Sequence, residues 1–393
     1  MKAVIMAGGF GTRIHPLTIS LPKPMIPLIN RPIMEHIVNL LKRNGITDLI
    51  LLLFHQPEII KKYFGDGSEF GVHITYVTPL EDYGTAGAVK AAARHLDERF
   101  MIISGDLLTD FDLAQVIDFH DRTQAKATIT LTSVSDPLQF GVVITDKDAR
   151  ITKFLEKPGW GEVFSDTINT GIYILEPEIL DLIPAGQNRD WAKDVFPGML
   201  ATGAALYGCV TQGYWADIGN PEAYLEACRD ICHGKVSVEI PTPPVAKGRR
   251  VYVSPDAEVD ERATLDGMVV LGGNTRIQGN ASLTNSVVGR NCLIEDGVVM
   301  EDAVLWDNVY IKAGTRVIGA NLGHRVRVGQ RVLIEKGVVV ADETMVGDDV
   351  NIRPDVKIWP RKVIENGSTV SANMIWGEKW RKSLFEGAVV RGM

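Results

Sequence analysis

Between residues 253 and 370 the chain returns to an aliphatic residue every six positions, and few patterns restrict a fold more tightly. The positions are Val253, Val259, Leu265, Leu271, Ile277 and Leu283, then Val287, Leu293, Val299, Leu305, Ile311 and Val317, then Val328, Ile334, Val340, Val346, Ile352, Ile358, Ile364 and Val370. Small or β-branched residues usually stand two places earlier, as at Ala257, Ala263, Thr275, Ala281, Ala303, Val309 and Thr315. A helix repeats its apolar face about every 3.6 residues and a strand every second residue, so this spacing fits neither. It fits a parallel β-helix, in which short strands stack coil upon coil. Between 283 and 287, and between 317 and 328, the spacing breaks, and loops are expected to bulge there.

The first half reads differently. Apolar strand patterns at 3–6, 49–54, 72–77 and 100–104 alternate with helix patterns at 33–44, 57–64 and 86–96, the first opened by Pro32 and stopped by Gly45. Such βαβ order argues for an open, mostly parallel sheet with helices on both faces, and for a ligand at the carboxyl ends of its strands. Residues 125–217 are richer in strands, which predicts an inserted antiparallel layer. An amphipathic helix at 220–234, with Ala223, Tyr224, Ala227, Cys228 and Ile231 on one face, ends this part. Residues 235–250, with Pro241, Pro243 and Pro244, read as a stiff linker. The expected organisation is a domain at 1–234, the linker, a β-helix at 251–373 and a tail at 374–393.

Immediately after the first strand comes AGGFGTRIHPLTISLPKPMIP. Gly8, Gly9 and Gly11 let backbone N–H groups approach an anion, while Arg13 supplies a planar fork for phosphate oxygens. Lys23 lies between Pro22 and Pro24 in a stiff segment. The glycine spacing matches neither the dinucleotide fingerprint nor the P-loop, so the two cations carry more of the inference than the glycines do. Two carboxylates also stand at strand ends, Asp106 after Gly105 and Asp217 in WADIG, where together they are suited to a hard cation.

The run GGFGTRIHPLTISLPKPMIPLINRPIMEH resembles the signature of the sugar-1-phosphate nucleotidyltransferases, and most of all that of the mannose-1-phosphate guanylyltransferases. YGTAGA at 83–88, SGD at 104–106, FGVV at 140–143, LEKP at 155–158, NTGIY at 169–173 and GYWADIGNP at 213–221 extend the likeness in the family's order. The repeat region is similar to the left-handed β-helix of the hexapeptide-repeat proteins, which would place three hexads in each of about six or seven coils. The resemblance implies a Rossmann-like mixed, mostly parallel sheet followed by an all-β left-handed parallel β-helix. It further implies that an NTP, GTP foremost, and a sugar 1-phosphate, mannose 1-phosphate foremost, are joined with release of pyrophosphate. Carried onto matching positions, it assigns Ala7, Gly8, Gly9, Gly11, Thr12, Arg13, Lys23, Gly84 and Thr85 to the nucleotide. Gly141, Glu156, Lys157, Asn169 and Thr170 fall to the sugar phosphate, and Asp106 and Asp217 to Mg²⁺. Catalysis falls to Arg13, Lys23, Asp106, Lys157 and Asp217. Asp82 and Tyr83 stand where the family has proline and leucine, a departure that leaves the base contacts open. Glucose-1-phosphate uridylyl or thymidylyl transfer is the alternative within the family. A non-catalytic regulatory subunit and an acyltransferase using His324 are the alternatives outside it.

With 393 residues, 45% hydrophobic and 23% charged, the chain is long enough for two or three packed domains. A net charge of −8 argues against nucleic acid or an anionic membrane as a partner. Cys209, Cys228, Cys232 and Cys292 form no CxxC pair, so a reducing, cytoplasmic setting without disulfides or zinc is expected. The first residues already read as a core strand rather than a leader, and no apolar run reaches membrane-spanning length. Trp306, Tyr310 and Trp359, with Trp376, Trp380, Leu384 and Phe385 of the tail, suggest a homo-oligomer formed through the β-helix and tail. The tail also resembles the junction at which a phosphomannomutase-like domain follows in fused relatives.

Overall fold

The computed structural model describes residues 1–156, 159, 165–240, 242–375 and, as backbone only, 379–380. Two compact units emerge, and they follow space rather than chain order. One holds Met1–Phe10, Pro22–Met25 and Ile33–Asp217; the other holds Gly11–Leu21, Ile26–Pro32 and the chain from Ile218 onward.

At the centre of the first unit lies strand Lys2–Ala7, parallel to Asp48–Leu53 on one side and to Phe100–Ser104 on the other, with His73–Val77 continuing the parallel edge. Beyond Phe100–Ser104 the direction reverses. Thr167–Leu175 pairs antiparallel with it, and Ala127–Ser133, Leu206–Val210 and the hairpin of Gly141–Thr145 with Ile151–Glu156 are built outward from there. The antiparallel strands therefore extend the same nine-stranded sheet rather than forming a separate layer. Apolar clusters cover both faces: Ile37, Leu40, Leu41 and Phe64 pack on one, and Val89, Leu96, Trp191 and Phe196 on the other. Helices Ile33–Arg43 and Pro57–Phe64 lie where the patterns set them, whereas the helix expected at 86–96 spans Gly84–Ala91 and is followed by a 3₁₀ turn at Ala93–His95. A short ribbon of Leu107–Thr109 with Trp215–Asp217 joins distant parts of the chain, setting Asp217 opposite Leu107.

In the second unit the coils stack as short parallel strands. One face carries Val253, Leu271, Val288, Leu305, Leu322, Val340 and Ile358 in successive coils, seven among the described residues before Met374 bridges to Ile358. Here the reading of the repeat needs correction. The interior residues after Leu283 are Val288, Ile294 and Met300, one position later than the pattern at Val287, Leu293 and Val299. Neither break bulges as a loop. Ser282–Val288 is continuous strand, and between 317 and 328 Leu322 fills the interior on strand Asn321–Leu322. The physical reason is a corner of variable length. Leu283 stacks under Met300, Val317 and then Ile334 at intervals of 17 residues, after which Ile352 and Val370 follow at intervals of 18. The shortened corners turn through left-handed residues at Asn285, Asp302 and Gly319. Corresponding left-handed residues recur at the other corners, as at Asn274, Asn291 and Asn308, because a tight turn favours glycine, asparagine and aspartate. Thr275 and Thr315 are fully buried, their hydroxyls donating to the carbonyls of Gly289 and Gly329 in the next coil.

Helix Pro221–Cys232, which the sequence reading sets at the end of the first domain, groups in space with the β-helix. Asn220 caps its start, and Arg250 donates to the carbonyls of Ile231 and Cys232 at its end. Trp306, expected on an exposed face, is 2% exposed: its ring meets Tyr224 edge-on and its Nε1 donates to the Tyr224 hydroxyl. Tyr310 stays partly open, beneath the Arg327 guanidinium. Trp376, Leu384 and Phe385 lie outside the described residues, as does the side chain of Trp380. All four cysteines are free and buried. Among the described residues, no helix is long and apolar enough to cross a membrane.

Candidate functional site

The central strand ends at Ala7, and the chain there must leave the sheet while its neighbour on the same edge does likewise after Ser104. Gly105 makes this close approach possible. Its N–H donates to the Met6 carbonyl at 2.8 Å, and a Cβ on it would lie only 3.1 to 3.3 Å from Met6, Ile5 and Ala7. Asp106 is thereby delivered beside the glycine turn. Because Asp217 pairs with Leu107 in the ribbon, the second carboxylate arrives next to the first.

Lys23 joins them. Its ammonium lies 2.5 Å from Asp106 Oδ2 and 3.6 Å from Asp217 Oδ1, and the residue is only 7% exposed. Burial alone would push the Asp106 carboxyl up, but the Lys23 charge and hydrogen bond, helped by Ser104, outweigh it and hold that carboxyl below the usual range. A buried lysine shared by two carboxylates is a costly arrangement that a purely structural core would rarely keep.

Next to Asp106 a cavity of about 510 Å³ opens, lined by Ala7, Gly8, Gly9, Gly84, Thr85 and Asp106 among others. Its far wall is set by Gly84, at φ +66°, where a Cβ would come 2.6 Å from the Arg189 carbonyl oxygen. The segment around it is stitched to residues 187–191: Ala86 N–H donates to the Arg189 carbonyl, Arg189 N–H to the Tyr83 carbonyl, and the Thr85 hydroxyl to Asp190. Sequence reasoning missed this second segment of the wall, including Asn188, Asp190, Lys193 and Asp194. The available signal was Asp190, whose carboxylate caps the N–H groups of Ala192 and Lys193 and so points to a helical turn beginning there.

The other expected residues stand on other elements. Gly11, Thr12 and Arg13 group with the second compact unit, Gly11 in the left-handed region and Thr12 and Arg13 exposed on a short 3₁₀ turn. Gly141 and Glu156 face each other in the hairpin, where a Cβ on Gly141 would meet the Glu156 carboxylate at 2.9 Å. Asn169 is engaged with the Tyr173 hydroxyl and the Gly171 N–H. Thr170 is buried, its hydroxyl donating to the Thr130 carbonyl, so its side chain is turned into the sheet rather than toward a ligand. Lys157 lies outside the described residues. His324, the base of the acyltransferase alternative, stacks near Trp306 and accepts the Asp307 N–H at Nδ1, a structural engagement of that nitrogen. Among the described residues no group of three or more His, Cys, Asp and Glu side chains forms a metal cage.

The nucleotidyl transferase family model matches residues 2–234, and the model of the EIF2B subunit epsilon LbH domain matches residues 248–352. A mannose-1-phosphate guanylyltransferase of Mycobacterium tuberculosis is 38% identical over 252 residues, covering 64% of this chain and 68% of that protein. A UTP–glucose-1-phosphate uridylyltransferase of Synechocystis sp. is also 38% identical, over 256 residues covering 61% of this chain and 66% of that one. The chain thus spans about two thirds of the length of these relatives. Among solved structures, a Bacillus anthracis protein assigned as a glucose-1-phosphate thymidylyltransferase superposes with a TM-score of 0.53 at 28% identity, over 58% of this chain and 93% of that one. With the family model covering more than half of its length, the glycine turn and the two strand-end aspartates brought together, this chain belongs to the nucleotidyl transferase family, with a β-helix of the LbH type following the family domain.

Proposed function

We propose that this sugar-1-phosphate nucleotidyltransferase takes GTP and mannose 1-phosphate and yields GDP-mannose and pyrophosphate. The observation that carries the reading is Lys23 held between Asp106 and Asp217 beside the cavity. One cation already bridges the two carboxylates there, so their oxygens stand close enough to serve a shared positive centre. That donor set suits Mg²⁺, which binds through one or two carboxylates plus substrate phosphates and, when present, neutralises charge on phosphate oxygens. The guanine and mannose assignments draw support from the Mycobacterium relative; the Synechocystis protein at equal identity makes uridylyl transfer to glucose 1-phosphate the competing outcome.

The reaction is a single in-line displacement. A phosphate oxygen of the sugar phosphate bonds to the α-phosphorus of the NTP, the bond from that phosphorus to the bridging oxygen breaks, and pyrophosphate departs with the electron pair. Because the attacking phosphate is already ionised at neutral pH, the protein's task is positioning and charge stabilisation rather than proton removal. In this reading the backbone N–H groups of the Ala7–Gly9 turn approach the phosphates, and Gly84 and Thr85 face the nucleoside. Lys23 leaves its aspartate partners for the α-phosphate, Arg13 stabilises the departing pyrophosphate and Lys157 grips the sugar phosphate. Self-association through the β-helix and tail belongs to the same proposal.

A pyrophosphate-release assay with four NTPs against mannose, glucose and galactose 1-phosphates tests it. The GTP and mannose 1-phosphate pair should give the highest kcat/KM, and a preference for UTP or dTTP with glucose 1-phosphate would overturn the substrate assignment.

A further inference from the structure

The turn that carries Arg13 is fastened to the β-helix by a side-chain bond. Ser20 Oγ donates to Asp342 Oδ2 at 2.6 Å, across 322 positions of the chain and inside one compact unit. The other oxygen of Asp342 accepts the His324 N–H at 2.7 Å, so one carboxylate holds a coil corner and the loop together. Asp342 is 6% exposed and its backbone carbonyl accepts the Arg361 N–H in the next coil, so the residue is bonded through main chain and carboxylate alike. Gly323 leaves room for it: a Cβ there would lie 2.4 Å from Asp342 Oδ1.

From Ser20 the restraint runs back toward Arg13. Thr18, 3% exposed, donates its hydroxyl to the Gly11 carbonyl at 2.7 Å, closing the loop on itself, and the Ile14 N–H reaches the same carbonyl. Arg13 sits between these two anchor points. Two further bonds fix the continuation of the segment: Tyr224 donates its hydroxyl to the Pro27 carbonyl, and Asn30 donates to the Val288 carbonyl. Residues 11–21 and 26–32 are therefore fastened to the β-helix within one compact unit.

We infer that Asp342 is a positioning residue for nucleotidyl transfer: through Ser20 and the Thr18-closed loop it holds Arg13 in place. This rests on the role proposed for Arg13. A hydrogen bond to a charged group restrains far more than one between neutral partners, which is why the carboxylate rather than any other coil residue is singled out.

The test uses the full chain and two readouts. Amide hydrogen exchange in residues 11–21 should quicken about tenfold in Asp342→Ala relative to the unaltered protein, the size expected for loss of one charge-assisted bond. Asp349→Ala, which removes an exposed carboxylate paired with Arg331 at a different corner, should leave it unchanged. In steady-state assays Asp342→Ala should lower kcat/KM for the NTP about tenfold without raising KM for the sugar phosphate, and it should add no further loss in an Arg13→Ala background. Ser20→Ala, an exposed hydroxyl removed without touching the coil, should reproduce both effects if Asp342→Ala fails to fold. Unaltered exchange in residues 11–21, or a loss fully multiplicative with that of Arg13→Ala, overturns the inference. Absence of pyrophosphate release from the unaltered protein with every substrate pair would instead overturn the nucleotidyl transfer reading, and the exchange measurement would still decide whether Asp342 holds the loop.

Discussion

In the sheet unit a lysine only 7% exposed is held between two aspartates at the ends of strands, whereas the interior of the β-helix from Val251 to Met374 is built of stacked aliphatic side chains with threonines bonded to the next coil. The first arrangement takes charges out of water and recovers the cost only through their mutual attraction. The second gains stability by repetition, each coil burying the one below, in sums of nearest-neighbour contacts. Strand ends of an open sheet lie where backbone pairing stops and ligands can enter, so charge collects there. Among the described residues the interior of the β-helix is filled by aliphatic side chains. The contrast separates residues kept for chemistry from residues kept for cohesion.

Substitution at Lys23 is the sharpest way to break that contrast. Lys23→Met should cut pyrophosphate release by roughly 10²–10³, equivalent to about 2.7–4 kcal/mol of transition-state stabilisation, with the thermal transition of the β-helix unmoved. Full activity in a folded Lys23→Met protein would remove the chemical role from this lysine. Next in size comes Ile334→Ala in the stack. Deleting that fully buried side chain should cost about 2–5 kcal/mol in a denaturant titration while turnover per folded molecule stays the same, and a matching loss of turnover would blur the two classes of residue. The smallest effect concerns pH. The Asp106 carboxyl is held below its ordinary range, so its folded pKa lies under the unfolded value of about 3.9. Its contribution to stability is complete above that value and is lost as pH falls through the folded pKa. A double-mutant cycle of Lys23→Met with Asp106→Asn should therefore give a constant coupling from pH 8 down to about pH 4, shrinking only below it. A coupling that already fades near pH 6 would contradict the pairing.

The strand and helix order of the first half was legible because each element carries its own period and its own stop, as with Pro32 and Gly45 around the helix Ile33–Arg43. Asp106 and Asp217 were legible as candidates, each at a strand end before or after glycine. Their meeting was expected from their strand-end placement and from the resemblance, but the ribbon that brings it about was not visible, since it pairs residues more than a hundred positions apart. Asp190 and Lys193 were missed for the same reason: they enter the cavity wall through backbone bonds to the Gly84 segment, and no local motif announces such bonds. In the repeat, the period was plain but its phase slipped at Leu283, because nothing in a row of valines tells whether Val287 or Val288 points inward. Trp306 looked like a surface residue only because its cover, Tyr224, comes from a helix far back in the sequence.

Where Leu283 passes to Val288, Met300 to Leu305 and Val317 to Leu322, five positions complete a turn that takes six between Ile334 and Val340, and the inward residues remain aligned from coil to coil. Both lengths turn through one left-handed residue, Asn285 or Asp302 in the short corners and Gly337 in the long one, so a difference of one position at a corner leaves the layers above in place. Lineages of this architecture can drift in length at their edges while their insides stay in step.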